Sequence, residues 1–328
     1  MKKIPLRSCC LLVLLFIHLS VFSQQRKEPL PTVFFGQLRE EQTPADLKLQ
    51  GPVKSVEKHT YFARLNASGI PEKGRDYQGG IYHENYRYVF DPQGRILERG
   101  QRHLNTDTWF TFTYTYNEKG YRATEISGGR LLSIYTYDTA GRLSEIRWPE
   151  PEYRRTRADT RDSFLYDAGG LLKEQWRYSD EGEGIITRYG DVLLRDSAGR
   201  IRYIQAFSGV YLRHISTYKY TPDGSTEIRT RYTGGLKEPE SAYCKLDAEG
   251  NELLSETWFS GGKMPSPKIE SAFNEHNECI REKQTYPNAE EQFERQYEYD
   301  EKGNWIRMTE FKNGKPESIH ERTITYYP

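Results

Sequence analysis

Residues 135–143 read Tyr135-Thr136-Tyr137-Asp138-Thr139-Ala140-Gly141-Arg142-Leu143, and this stretch decides the fold. An Asp opening a type I turn, with Gly in the left-handed region three residues later, makes a three-residue hairpin loop with a bulge. The pattern recurs at Phe90-Asp91-Pro92-Gln93-Gly94, Tyr116-Asn117-Glu118-Lys119-Gly120, Tyr166-Asp167-Ala168-Gly169-Gly170 and Tyr299-Asp300-Glu301-Lys302-Gly303. Degenerate copies turn at Asp196 to Gly199, Thr221 to Gly224, Asp247 to Gly250 and Asn274 to Asn277. Turn ends at 94, 120, 141, 170, 199, 224, 250, 277 and 303 are spaced by 26, 21, 29, 29, 25, 26, 27 and 26 residues. Pro92 and Pro222 fill the second turn position, where a fixed φ suits type I. Asn277 stands where Gly is otherwise used, as the next-best residue at positive φ.

Each unit therefore predicts a β-hairpin. With the last turn residue as zero, position −4 is Phe90, Tyr116, Tyr137, Tyr166, Tyr220, Phe273 or Tyr299 in seven of nine units. A three-residue loop sets it opposite +2, which is Ile96, Leu143, Leu172, Ile201, Cys279 or Trp305 in six. Strict alternation adds −6 (Tyr88, Tyr114, Tyr135, Phe164, Tyr218, Tyr297) and +8 (Tyr178, Phe207, Tyr232, Trp258, Phe311) to the same aromatic face. One aromatic and one mixed face suit an antiparallel sheet. Gly128-Gly129, Gly234-Gly235, Gly261-Gly262 and Asn313-Gly314 are candidate turns at the opposite end. With strands from Val53 and Ile319, roughly twenty strands are expected, and an open sheet rarely exceeds ~10 without curling. The expected fold is all-β: tandem hairpins in one long antiparallel meander that coils or partly closes. A β-propeller of paired units is the alternative.

The segment Tyr135 to Leu143 resembles the YD repeat of rearrangement-hotspot (Rhs) proteins, and Tyr297 to Trp305 is similar to it. The resemblance spans about residues 81–311. Gly51-Pro52-Val53-Lys54-Ser55-Val56 and the run from Asn313-Gly314-Lys315-Pro316 to Tyr327 also resemble secreted YD-repeat proteins of Bacteroidota-type bacteria. The resemblance implies a sheet that winds into a shell, in some members around a toxin domain. The short array here does not imply such a cargo.

Lys2, Lys3 and Arg7 precede an apolar run from Leu11 that reaches Phe22, and Val21 and Ser23 sit at the cleavage positions before Gln24. Residues 1–23 are thus expected to be a signal peptide; the run falls short of the ~20 residues of a spanning helix. Cys9 and Cys10 precede the apolar run, which excludes the lipoprotein arrangement. Residues 24–50 read as an N-terminal arm with a short helix from Thr43-Pro44 to Leu49, and 51–328 as the repeat domain. The protein is expected in the periplasm or outside the cell, not spanning the membrane. Removing 1–23 turns 47 basic against 47 acidic residues into 44 against 47, a net of −3, which argues against nucleic acid.

No phosphate loop, nucleophile elbow or zinc-protease signature occurs. His276, Cys279 and Cys244 are the nearest approach to a zinc set, and no metal or cofactor is expected. The meander sets Cys244 and Cys279 three strand spacings apart, about 14 Å, too far for a disulfide. Asp91, Asn117, Asp138, Asp167, Asp196, Asp247 and Asp300 are assigned to their turns rather than to catalysis, along with Gly94, Gly120, Gly141, Gly170, Gly199, Gly224, Gly250, Asn277 and Gly303. Trp148, Trp176 and Trp258 are the candidate binding residues, because flat indole faces pack on sugar rings; the alternative is that they fill the sheet's packed face. Arg154, Arg155, Arg157 and Arg161 alternate with acids as a solvated loop. The function expected is a non-enzymatic exported protein offering a β surface to an envelope glycan or protein. A carbohydrate hydrolase, or a shell piece of an Rhs-type system, are the alternatives.

Overall fold

The computed structural model describes residues 43–45, 47–77, 85–102, 108–149, 160–180, 186–220, 226–233, 240–247, 249–258 and 267–328. The expected signal peptide, the expected arm to residue 42, the turns expected at 221–224 (with Gly224), 234–235 and 261–262, and the arginines at 154–157 lie outside them, as do the side chains of Tyr232 and Trp258. The first strands are β1 (Val53–Leu65), β2 (Pro71–Asp76), β3 (Tyr86–Phe90), β4 (Ile96–Arg102), β5 (Trp109–Tyr116), β6 (Arg122–Ser127) and β7 (Arg130–Tyr137). They continue as β8 (Leu143–Trp148), β9 (Thr160–Tyr166), β10 (Leu172–Asp180), β11 (Ile186–Arg195), β12 (Ile201–Ser208), β13 (Tyr211–Tyr220) and β14 (Thr226–Thr233). The last are β15 (Glu240–Leu246), β16 (Glu252–Trp258), β17 (Lys268–Phe273), β18 (Cys279–Tyr286), β19 (Ala289–Tyr299), β20 (Trp305–Lys312) and β21 (Lys315–Tyr326).

From β3 to β21 each strand pairs antiparallel with the next, in a single sheet, so no propeller blades form. The thinnest junction is β16–β17, with only Leu254↔Glu270 and Ser255↔Ile269 in register. β1 pairs with β21 from Val53 to Phe62 on one side, and with β3 from Ser55 to Lys58 on the other. The first strand thus bridges the end of the meander to its beginning. Val53, Val56, Tyr88, Phe90, Ile96 and Tyr114 are buried together at this junction with Leu49. In place of the expected short helix, the described residues 43–45 and 47–49 turn tightly: Leu49 N–H reaches Pro44 O at 2.7 Å, and Lys48 at φ 54° stops propagation. That turn delivers Leu47 and Leu49 to the cluster.

The eight described turns share one geometry. At Asp138, the backbone N–H donates to Arg142 O at 2.8 Å, Gly141 N–H donates to Asp138 O at 3.0 Å, and Oδ1 accepts from the N–H of Ala140 and Arg142. Gly141 sits at φ 81° and Asn277 at 59°, as the turn type requires. At the other end, Gly128-Gly129 and Asn313-Gly314 have two positive φ values each, the type I′ pattern matched to strand twist.

Position −4 faces +2 in every described unit, from Phe90↔Ile96 to Tyr299↔Trp305. The next aromatic-face pair is not two residues on but three: Tyr88 faces Arg99, Phe164 faces Gln175 and Tyr297 faces Met308. A bulge at +3 reverses the parity of the second strand. The expected +8 column (Tyr178, Phe207, Phe311) therefore lies on the opposite face. Position +5 takes its place, with Arg99, Ile146, Gln175, Ile204 and Met308 all buried.

A side-chain relay joins neighbouring units. Arg95, Arg142 and Arg200, each just after the turn glycine, donate through Nε to the turn carboxylate at 2.6, 2.8 and 2.9 Å. Each guanidinium also lies 4.7 Å over the next unit's −4 tyrosine: Tyr116, Tyr166 and Tyr220. Those hydroxyls donate back to the +2 carbonyls of Ile96, Leu143 and Ile201 at 2.6, 2.8 and 2.8 Å. Tyr166→Phe removes one such hydroxyl and leaves a half-buried carbonyl short of a donor. It is expected to cost about 1 kcal/mol in urea denaturation; an unchanged midpoint would make the relay decorative.

Candidate functional site

Beyond the aromatic belt, the same face carries a buried polar layer. It arises because −8 and +7 alternate onto that face, and the sequence puts Ser133, Asp162, Asp191 and Ser216 at −8, all buried. Polar groups enclosed this way need partners, and the register supplies them. Asp162 faces Arg177, whose Nε and Nη2 donate to its two carboxylate oxygens at 2.8 Å each. Asp191 faces Gln175, whose Nε2 donates to Oδ2 at 2.7 Å.

Asp191 is 1% exposed, and burial pushes its carboxyl up to about 6 from 3.8, against the Gln175 hydrogen bond that favours ionisation. The folded chain thus holds this proton more tightly than the unfolded one. The stabilisation it brings is full below pH 3.8 and is lost as pH rises through about 6, on the order of 3 kcal/mol. Asp191→Asn keeps an acceptor for Gln175 and has no charge to bury. It should match the parent near pH 4 and exceed it by about 2–3 kcal/mol at pH 7.5 in denaturant titrations. An equal difference at both pH values would contradict the shift.

On β21, between β1 and β20, His320 shares a 2.8 Å hydrogen bond at Nε2 with Ser318 Oγ and a 3.0 Å one at Nδ1 with Thr60 Oγ1. Burial first, then Lys58, Arg295 and Arg322, push the imidazole down to about 3. It stays neutral, so one hydroxyl donates to it and the other accepts. A Ser–His contact is the start of a nucleophile site, but the group orienting this ring is a threonine, and Ser318 is enclosed. Arg295 continues the network, donating from Nε to Glu310 at 2.7 Å and from Nη1 to Cys279 Sγ at 3.1 Å. Both thiols are free, on β15 and β18 with two strands between them. His276 stacks on Tyr299 at 4.3 Å, and among the described residues no three His, Cys, Asp or Glu side chains converge.

The candidate tryptophans do not form one platform. Trp148 is on the aromatic face, half-buried, with the Arg177 guanidinium 5.1 Å over its ring. Trp176 is on the opposite face and buried, with Arg188 at 3.4 Å over the ring and Nε1 donating to Glu174 at 3.0 Å. Trp258 ends β16 opposite Ser241.

A separate feature was missed in the sequence. The β12–β13 hairpin turns through Gly209, φ 60°, and exposes Val210 (87%), Tyr211 (77%) and Leu212 (46%). Gly209 N–H donates to Arg188 O at 2.6 Å, which sets the tip beside the start of β11 and Ile186, 65% exposed. Ser208-Gly209 followed by three apolar residues was the available signal, since hairpin tips are ordinarily polar.

No protein-family model matches the chain, and no curated protein does. Among solved structures it is similar to a porin-like protein from Bacteroides uniformis, at 12% identity over 84% of this chain and 98% of that one, TM-score 0.32. It is also similar to the Photorhabdus luminescens Tc holotoxin pore (11% identity, 79% of this chain, 21% of that one, TM-score 0.26). A third is TcdB2-TccC3 (12%, 79% and 16%, TM-score 0.25). The chain matches about a fifth or less of those two toxin chains. Likenesses of this size carry no functional argument.

Proposed function

We propose that this is a non-catalytic exported repeat protein that docks onto a cell-envelope protein through the Val210–Leu212 hairpin tip. The observation that carries the reading is the exposure of Ile186, Val210, Tyr211 and Leu212 at one end of the sheet. Asp91, Asp138 and Asp196, with Tyr116, Tyr166 and Tyr220, are taken up by the relay between units and are scaffold. Clustered apolar side chains left in water are what an interface uses. Arg188 and Arg213, both exposed, flank the tip and favour a partner with an apolar centre and an acidic rim. The export segment supplies the compartment.

A photoreactive phenylalanine analogue in place of Tyr211 tests this in envelope extract. A discrete protein adduct is expected, and Val210→Asp with Leu212→Asp should abolish it while leaving stability within about 0.5 kcal/mol, as exposed substitutions do. An adduct that survives both changes, or none at all beside a positive glycan array, would overturn the reading.

A further inference from the structure

We propose that residues 43–52 form a strap that locks the joint between β1 and β3, so that the sheet opens there, once the strap is released, without unfolding elsewhere. The proposal is independent of the hairpin tip, which lies on other strands. β1 pairs with β3 only from Ser55 to Lys58, but with β21 from Val53 to Phe62. The β3 side is therefore the one on which β1 parts more readily, staying on β21 as it does so.

The strap crosses this joint and is fastened on both sides of it. On the β3 side, Leu49 is buried with Val56, Tyr88 and Phe90, and Leu47 packs against the same cluster. A Cβ on Gly94, in the β3–β4 turn, would lie 3.6 Å from Pro44 Cδ. On the β18–β21 side, Gln50 N–H donates to Asn304 Oδ1 at 2.6 Å. Asn304 Nδ2 donates in turn to Gln50 O at 3.0 Å and to Tyr326 OH at 2.7 Å. Lys48 Nζ donates to the Asn277 carbonyl, and Tyr327 N–H to that of Pro52 at 2.8 Å.

The repeat explains why the strap finds these partners. Through four successive units, the residue after one turn glycine lies over the glycine of the next unit. A Cβ on Gly120 would meet Arg95 Nη1 at 3.1 Å, and one on Gly141 would meet the Tyr121 hydroxyl. On Gly170 it would lie 3.6 Å from Arg142 Nη1, and on Gly199 3.3 Å from Leu171 Cδ1. Gly94 opens the array and has no unit before it, so Pro44 takes that position. Asn304, the corresponding residue of the last unit, has no turn after it and holds Gln50 instead. The strap thus stands in for the unit missing at each end. Asn304 is 1% exposed, so its amide is costly to leave without these bonds. Residues 43–52 make no strand pairing of their own, so two amide bonds and one buried leucine hold or let go together. Release uncovers Val56, Tyr88 and Phe90, an apolar face closed to any partner while the strap is on.

Amide hydrogen exchange of the full chain at pH 7 tests the lock. Protection on β3 is expected to fall well below that on β11, which is paired along its length with β10 and β12. Asn304→Ala and Leu49→Ala should each speed exchange on β3 about tenfold or more. The double variant should be little faster than the faster single one, because cutting either fastening frees the whole strap. Two independent structural losses would multiply instead. The proposal falls if β3 exchanges only as slowly as β11, if Leu49→Ala leaves β3 unchanged, or if the two changes multiply. Should Asn304→Ala fail to fold, the parent comparison and Leu49→Ala decide.

Discussion

Phe90→Ala is expected to lower stability by about 3–5 kcal/mol, the range for deleting a fully buried aromatic ring. Phe90 is 0% exposed and packs with Leu49, Val53, Val56, Tyr88, Ile96 and Tyr114. Its carbonyl accepts from Tyr327 OH at 2.7 Å, so the residue sits where both ends of the sheet converge. The void could not be filled without moving β1, which is held on two sides. Phe273 is the matched control: the same −4 position, opposite Cys279, but only half-buried. Phe273→Ala should cost clearly less. Urea denaturation of the two variants checks the comparison, and equal losses would mean the junction is no tighter than the rest of the sheet.

Gly190→Ala should destabilise by about 2–3 kcal/mol, as overpacking does. The sign is the point, since replacing a strand glycine by alanine ordinarily gains roughly 0.5–1 kcal/mol. A Cβ on Gly190 would lie 2.4 Å from the Gln175 carbonyl oxygen and 2.4 Å from Cε3 of Trp176. The indole cannot swing away freely, with Arg188 over its face and Phe207 at 5.8 Å. Made in a Trp176→Ala background, the same change should cost less than in the parent but still cost something, because the indole contact is gone and the carbonyl contact remains. A gain in melting temperature for Gly190→Ala alone would show that β10 and β11 are further apart than described.

The turns were legible because their chemistry is local. An Asp or Asn that bonds two N–H groups and a residue at φ near 80° leave few alternatives in any chain. The −4/+2 pairing followed from loop length alone. The +8 column failed because the bulge at +3 has no residue signature: Leu97, Lys173 and Ile306 occupy it with nothing in common. Arg95, Arg142 and Arg200 stood in plain view after their glycines, yet their reach to the next unit needed coordinates. The buried polar layer was illegible for a different reason. Asp191, Gln175, Arg99 and Glu125 look like surface residues until the neighbouring strands show who faces them. The three tryptophans were chosen by residue type, and type does not say which side of a sheet a side chain takes.

The bridging role of β1 bears on synthesis. A ribosome makes β1 well before its longest partner, β21, which lies some 260 residues later. Joining such distant segments carries a loop-closure penalty that grows only slowly with length, but it delays the contact. A nascent chain can zip hairpin after hairpin as each turn emerges, while β1 waits with one flank uncovered until β21 has been made.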